Sequence, residues 1–128
     1  MLLLAGCSGG DVGGGALSSE EIRREVVRNP MTRCGSILLG AWRYTAWHDR
    51  DGRVNAVVLA GTTREEAAGV WRVTADDLYC RTWNNTWAEG REGCFTVTKT
   101  ADLLTFDHVS GAPGEADSYT YRLGESCD

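Results

Sequence analysis

Residues 69–95 read GVWRVTADDLYCRTWNNTWAEGREGCF, and their opening repeats an earlier segment of the chain. The seven residues from Gly69 (GVWRVTA) match the seven from Gly40 (GAWRYTA) at five positions, and the other two exchange one apolar residue for another. A glycine followed by a tryptophan and by β-branched or aromatic residues is typical of the start of a β-strand. The acidic pair at 76–77 predicts a turn, so the second copy begins a hairpin.

Further short segments rich in strand-forming residues follow at intervals marked by Asp, Gly and Asn. They predict seven strands, at residues 37–48, 54–60, 69–74, 78–83, 93–98, 103–109 and 118–123. The polar segment at residues 62–68 (TTREEAA) is predicted to be a loop or a single helical turn. This spacing is typical of a small all-β fold, which could be an antiparallel meander, a sandwich, or a barrel that is closed or incomplete.

Strand alternation predicts which side chains share a face of the sheet. Trp42 and Tyr44 fall on one face of their strand, because successive side chains point to opposite sides. By the same rule Tyr79, Arg81 and Trp83 share one face of theirs. The simplest interpretation of these aromatic stripes is that most of them form the core.

One helix is predicted before the strands. Ser18 and Glu21 have the spacing of a capping box, and Ile22 with Val26 gives a narrow apolar stripe. Pro30 disfavours a helical residue before it, so the helix should end near Asn29.

The composition limits the possible partners. The 128 residues fit one domain with a short appendage, and the net charge of −5 argues against a nucleic-acid partner, which requires a basic surface.

The N-terminal residues MLLLAGC resemble the lipobox of bacterial lipoproteins, in which an apolar and two small residues precede a lipidated cysteine. The resemblance implies that Cys7 is lipidated and attaches the protein to a membrane of the cell envelope, with Ser8 compatible with the outer membrane facing the periplasm. We interpret residues 1–7 as a truncated signal peptide with lipobox, because the apolar run is shorter than an h-region and the true start would then lie upstream. The alternative is a chance apolar N-terminus on a cytosolic protein. The glycine-rich residues 8–16 (SGGDVGGGA) are predicted to be a tether, and residues 17–128 the helix and a disulfide-braced β domain.

Four cysteines remain besides Cys7, and an even number in an exported chain predicts two disulfides. Three pairings are possible. The hairpin geometry favours Cys80 with Cys94, which leaves Cys34 to pair with Cys127. Because the sequence has no Cys-x-x-Cys spacing, a zinc ribbon or a thioredoxin-like redox site is not expected.

Two resemblances to known families extend this interpretation. The Gly-x-Trp at the start of the first predicted strand, the preceding helix and the late Arg122 resemble lipocalin-like barrels. That resemblance implies that Trp42 plugs one barrel end and that Arg122 packs over it.

The second resemblance is to small exported proteins of Gram-negative bacteria that are classed as domains of unknown function. Its motifs are an Asp-Gly turn at 51–52, Gly-Val-Trp-Arg at 69–72, Leu-x-Cys-x-x-Trp at 78–83 and Cys-Phe at 94–95. This likeness supports export and the bridge from Cys80 to Cys94.

The sequence contains no recognisable catalytic centre. His48 lies beside Asp49 and Asp51, which would suit a metal or an acid–base pair, but a hairpin turn with charged flanks explains the same residues. Gly-x-Ser-x-Gly, His-Glu-x-x-His and phosphate-loop motifs are missing from the sequence. We therefore expect no enzyme activity, no cofactor and no metal.

The best candidate binding surface is the loop between the two cysteines of the hairpin, with Arg81, Trp83, Asn85 and Trp87. Two tryptophans around polar side chains would suit a sugar ring or an aromatic group of a partner, although both tryptophans would also suit the core. We therefore expect a non-catalytic binding module for an envelope protein or a glycan. The alternative is a lipocalin-like carrier of a small apolar ligand, which requires an open barrel interior.

Overall fold

The computed structural model describes residues 15–37, 40–112 and 117–127, which form one α-helix and eight antiparallel strands. The helix α1 spans Ser19–Arg28. Each strand pairs with the next and the last pairs with the first, so the sheet closes into a barrel. The predicted all-β fold with one N-terminal helix is confirmed, in its closed, lipocalin-like form. The strands are β1 (Met31–Ile37), β2 (Gly40–His48), β3 (Arg53–Ala60), β4 (Thr63–Val73), β5 (Tyr79–Trp83), β6 (Gly93–Thr100), β7 (Leu103–Gly111) and β8 (Ser118–Leu123).

Helix α1 closes one end of the barrel. Its capping box forms as predicted, because the Ser18 Oγ accepts from the Glu21 N–H at 3.2 Å and the Glu21 Oε1 accepts from the Ser18 N–H at 2.8 Å. Ile22 and Val26 are fully buried and belong to the barrel core. Burial of two such side chains contributes roughly 1.5–3 kcal/mol each, which attaches the helix to the barrel end.

The seam of the barrel, where the last strand meets the first, is short and is reinforced from outside. Strands β1 and β8 pair through Met31 with Leu123 and Thr32 with Arg122. Just beyond this pairing, the Thr32 hydroxyl donates to the backbone carbonyl of Gly124 at 2.7 Å. A disulfide joins Cys34 to Cys127 with 5.8 Å between their Cα atoms, as predicted.

The second predicted disulfide is also confirmed. Cys80 on β5 lies directly opposite Cys94 on β6, with their Cα atoms 4.1 Å apart. Both residues alternate with inward-pointing neighbours, so the bridge lies on the outer face. It fixes the base of the loop between these two strands.

The interior is divided along the barrel axis into a filled half and an open half. Rings fill the half next to α1: His48 lies edge-on to Trp71 at 5.4 Å between centroids, and Tyr79 lies edge-on to Phe106 at 5.0 Å. The opposite half contains a cavity, described below. The barrel is therefore closed at the helix end and accessible at the other.

Two strand predictions are wrong. Strand β1 was not predicted, because Arg33 and Gly35 follow Met31 at its inward positions and interrupt the apolar alternation. Residues 63–68, expected in a loop or helical turn, form the first half of β4. Pairing with β3 determines this conformation, since Thr63 to Val70 lie opposite residues 60 to 53.

The predicted plug of Trp42 under Arg122 is also wrong. Trp42 lies six residues before His48 on β2, roughly 20 Å along the strand from the end that α1 closes. Arg122 alternates with the buried Tyr121, so it points to the outer face and forms an ion pair with Asp102 at 2.9 Å. The side chains that close the barrel come from the helix instead.

Candidate ligand-binding cavity

A cavity of about 370 Å³ occupies the open half of the barrel. Half of the described lining residues are aromatic, and two arginines and one carboxylate lie among the rings. The strands contribute at the ends that lie away from α1, and the loop between β5 and β6 contributes to the rim. The lining residues are Arg33, Trp42, Tyr44, Val58, Glu65, Arg81, Trp83, Trp87, Ala88, Gly93, Phe95, Ala112, Tyr119 and Tyr121.

Trp83, the last residue of β5, and Trp87, in the loop that follows, face this cavity. Trp83 is buried, with 5% of its surface exposed, and its ring lies edge-on to that of Trp87 at 5.0 Å. Trp87 also lies 6.2 Å from the ring of Tyr44 across the barrel. The loop therefore folds back over the mouth with its indoles directed inward.

The loop keeps this shape through a local turn. The Asn85 Oδ1 accepts from the Trp87 N–H at 2.9 Å, a common way for Asn to close a turn. Ala88 and Glu89 then adopt left-handed backbone, with φ of 52° and 60°, which reverses the chain towards β6. Asn85 thus shapes the rim, and it is not among the cavity-lining residues.

Trp42 packs closely against β1 because its cross-strand partner there is a glycine. Gly35 pairs with Trp42, and a Cβ at Gly35 would lie only 2.5 Å from the indole ring. Because Gly35 has no side chain, the indole of Trp42 can occupy the space beside β1. An inward glycine on β1 thus has a packing role at the cavity wall.

Two guanidinium groups lie among these rings. The Arg33 Cζ is 4.9 Å from the ring centroid of Tyr119 and 5.5 Å from that of Trp42. The Arg81 Cζ is 5.0 Å from that of Trp83 and 5.7 Å from that of Tyr79. Such cation–π contacts stabilise the cations without neutralising them.

The charge on Arg81 is retained despite burial. Burial by itself lowers the pKa of Arg81, but the phenol oxygens of Tyr79, Tyr44 and Tyr121 outweigh it and hold that pKa above its usual range. For the phenol of Tyr44 burial has the opposite effect: it raises the pKa, so the hydroxyl keeps its proton. The inner cavity wall thus carries a permanent cation beside neutral phenols.

A buried histidine lies below Arg81. The His48 Nε2 and the Tyr79 Oη are 2.6 Å apart, and burial lowers the pKa of His48 to about 3, with a smaller contribution from the charge of Arg81. His48 is therefore neutral at physiological pH. The Asp49 carboxylate faces away and accepts from the backbone N–H groups of Asp51 and Arg53, which confirms the predicted hairpin.

The predicted binding residues are partly brought together here. Arg81, Trp83 and Trp87 line one cavity, and Trp42, expected as a plug, joins them. Arg33 was not singled out from the sequence, because its strand was not predicted. Cys7 lies outside the described residues, and Ala16, assigned to the tether, forms a bridge with Thr98 of β6.

The described residues contain one group whose composition would suit a metal, formed by Cys80, Glu92 and Cys94. Both cysteines are consumed by the disulfide, so neither supplies a thiolate ligand. Within the same part of the chain, no helix has both the length and the apolar character needed to cross a membrane.

Comparison of the chain with protein families, with curated proteins and with solved structures finds no match.

Proposed function

We propose that this protein is a non-catalytic carrier that binds one small amphipathic molecule in the open half of its barrel. The observation that carries the proposal is the aromatic-lined cavity of about 370 Å³, closed below by a filled core and open at the rim. This volume lies near the lower end of the range for ligand sites, roughly 300–1,000 Å³, so the ligand is small or extends through the mouth.

The rigidity of the wall supports a binding role. The bridge between Cys80 and Cys94 fixes the base of the rim loop, and the contact between the rings of Trp83 and Trp87 fixes its tip. A site that is already ordered loses less conformational entropy when a ligand enters.

A docking module for an envelope protein or a glycan, using the loop from Trp83 to Trp87, is less well supported. Docking through stacked indoles requires their faces on the outer surface. Trp83 is almost completely buried and Trp87 lines the cavity, so these rings are placed for a ligand inside the barrel.

We propose that the protein is lipid-anchored in the cell envelope. It would be attached through Cys7 to the outer membrane, on the side that faces the periplasm. Two disulfides support an oxidising compartment. Labelled palmitate should be incorporated into the protein in cells that process lipoproteins, and Cys7→Ser should abolish the labelling; labelling that persists in this variant would exclude the anchor.

The carrier proposal is tested by titrating the protein with a fluorescent fatty acid while following tryptophan emission. We expect saturation at about one ligand per chain, with energy transfer from the cavity tryptophans. Val58→Phe, which places a ring in the cavity, should abolish this binding. Val57→Phe, at the neighbouring outward position on β3, is the matched control and should leave it unchanged. Binding that survives Val58→Phe would contradict an interior site.

A further inference from the structure

Arg81 is a cation inside the barrel that has no anionic partner among the described residues. It lies on β5 between the inward-facing Tyr79 and Trp83, and solvent reaches its side chain through the cavity. Among residues 15–37, 40–112 and 117–127, none forms an ion pair with it, although ion pairs such as Lys99 with Glu25 are present elsewhere. Arginine is rarely buried in proteins unless it is paired.

Its hydrogen bonding is also incomplete. The Arg81 guanidinium lies beside the phenol groups of Tyr79 and Tyr121, with its Cζ 5.7 Å from the ring centroid of Tyr79. Its Nη1 is sealed from solvent and has no acceptor in the described part of the chain. The hydroxyl of Tyr44, in the wall of the same cavity, is likewise buried without a partner. Two buried proton donors in the wall of this cavity thus lack an acceptor among the described residues.

The charged side chains around the cavity also favour an anionic ligand. Arg33 adds a second guanidinium to the wall, held over the rings of Trp42, Tyr119 and Tyr121. The carboxylate among the described lining residues belongs to Glu65, which is exposed at the rim. The cavity is therefore electropositive inside a chain whose net charge is −5.

We infer that the ligand is an amphipathic carboxylic acid, bound as its anion, with the carboxylate at Arg81 beside Tyr44 and the apolar body among Trp42, Trp83 and Trp87. The inference rests on the proposed carrier function and names its ligand class. A guanidinium matches a carboxylate in shape and charge, and such charge-assisted hydrogen bonds are stronger than neutral ones.

The inference is tested by calorimetric titration of the disulfide-intact protein at pH 7.5 with decanoate and with decanol, which differ in the charged head. We expect one decanoate per chain, bound about tenfold or more tighter than decanol. Rising salt should weaken the binding of decanoate and leave that of decanol nearly unchanged, since salt screens the charged contact.

Arg81→Met tests the position of the head group, since methionine keeps an unbranched apolar stem. The variant should lose the preference for decanoate while still binding decanol, and Arg122→Met on the outer face should retain the preference. Equal affinities of the wild type for acid and alcohol would overturn this inference and leave the carrier function standing. If neither molecule bound the wild type, both proposals would fail.

Discussion

The buried His48 makes the stability of the barrel depend on pH. Its side chain is 6% exposed, its Nε2 lies 2.6 Å from the Tyr79 hydroxyl, and its Nδ1 has no partner among the described residues. Burial lowers its pKa from 6.5 to about 3. At a pH between these two pKa values, His48 is neutral in the folded chain and protonated in the unfolded chain. The contribution of His48 to folding stability is therefore fully present above pH 6.5 and is lost as the pH falls towards 3.

The size of the loss follows from the same two pKa values. Lowering the pH from 7 to 5 should reduce the free energy of unfolding by about 2 kcal/mol through His48 alone. His48→Gln isolates this contribution, because glutamine offers the Tyr79 hydroxyl an acceptor and does not titrate. Urea unfolding at pH 7, 6 and 5 should show the variant losing about 2 kcal/mol less than the wild type over this interval. Equal losses in the two proteins would refute a buried, neutral His48.

Three further sets of substitutions test the packing, each by urea unfolding. Cys80→Ser opens the bridge with a sequence separation of 14 residues and should cost about 3 kcal/mol, whereas Cys34→Ser opens the one with a separation of 93 and should cost about 4–5 kcal/mol. Compared with the wild type, each variant should gain one free thiol, at the partner cysteine, and a gained thiol at another cysteine would contradict the pairing. Gly69→Ala brings a Cβ against the backbone carbonyl of Thr82 and should cost about 1–3 kcal/mol; unchanged stability would exclude that close approach. Ile22→Ala should cost about 2–5 kcal/mol if α1 closes the barrel, and a negligible cost would mean that the helix is not docked.

The elements that the sequence predicted well are those specified by local chemistry. The capping box of Ser18 and Glu21 identifies the start of α1, and Pro30 its end. The spacing of Cys80 and Cys94 around a hairpin identified a cross-strand bridge. Each of these depends on residues close together in the chain, so no knowledge of the tertiary structure was needed.

The parts that were not predicted depend on the cavity itself. Apolar alternation marks a strand only where its inner face meets a filled core, and β1 directs Arg33 and Gly35 at an open space and a tryptophan ring. The start of β4 similarly places Glu65 at the rim between outward polar residues. Alternation did place Arg81 on the same face as the aromatic residues of β5. That no described residue forms an ion pair with Arg81 became visible only once the neighbouring strands were in register.

The indole N–H signals in an NMR spectrum of the ¹⁵N-labelled protein test the central claim most directly, because the five tryptophans sample three environments. Trp42, Trp83 and Trp87 line the cavity, Trp71 is buried at the closed end, and Trp47 is on the outer face with 39% of its surface exposed. Saturating decanoate should shift the three cavity signals and leave those of Trp71 and Trp47 in place. A spectrum without shifts, or with its largest shift at Trp47, would contradict a binding site inside the barrel.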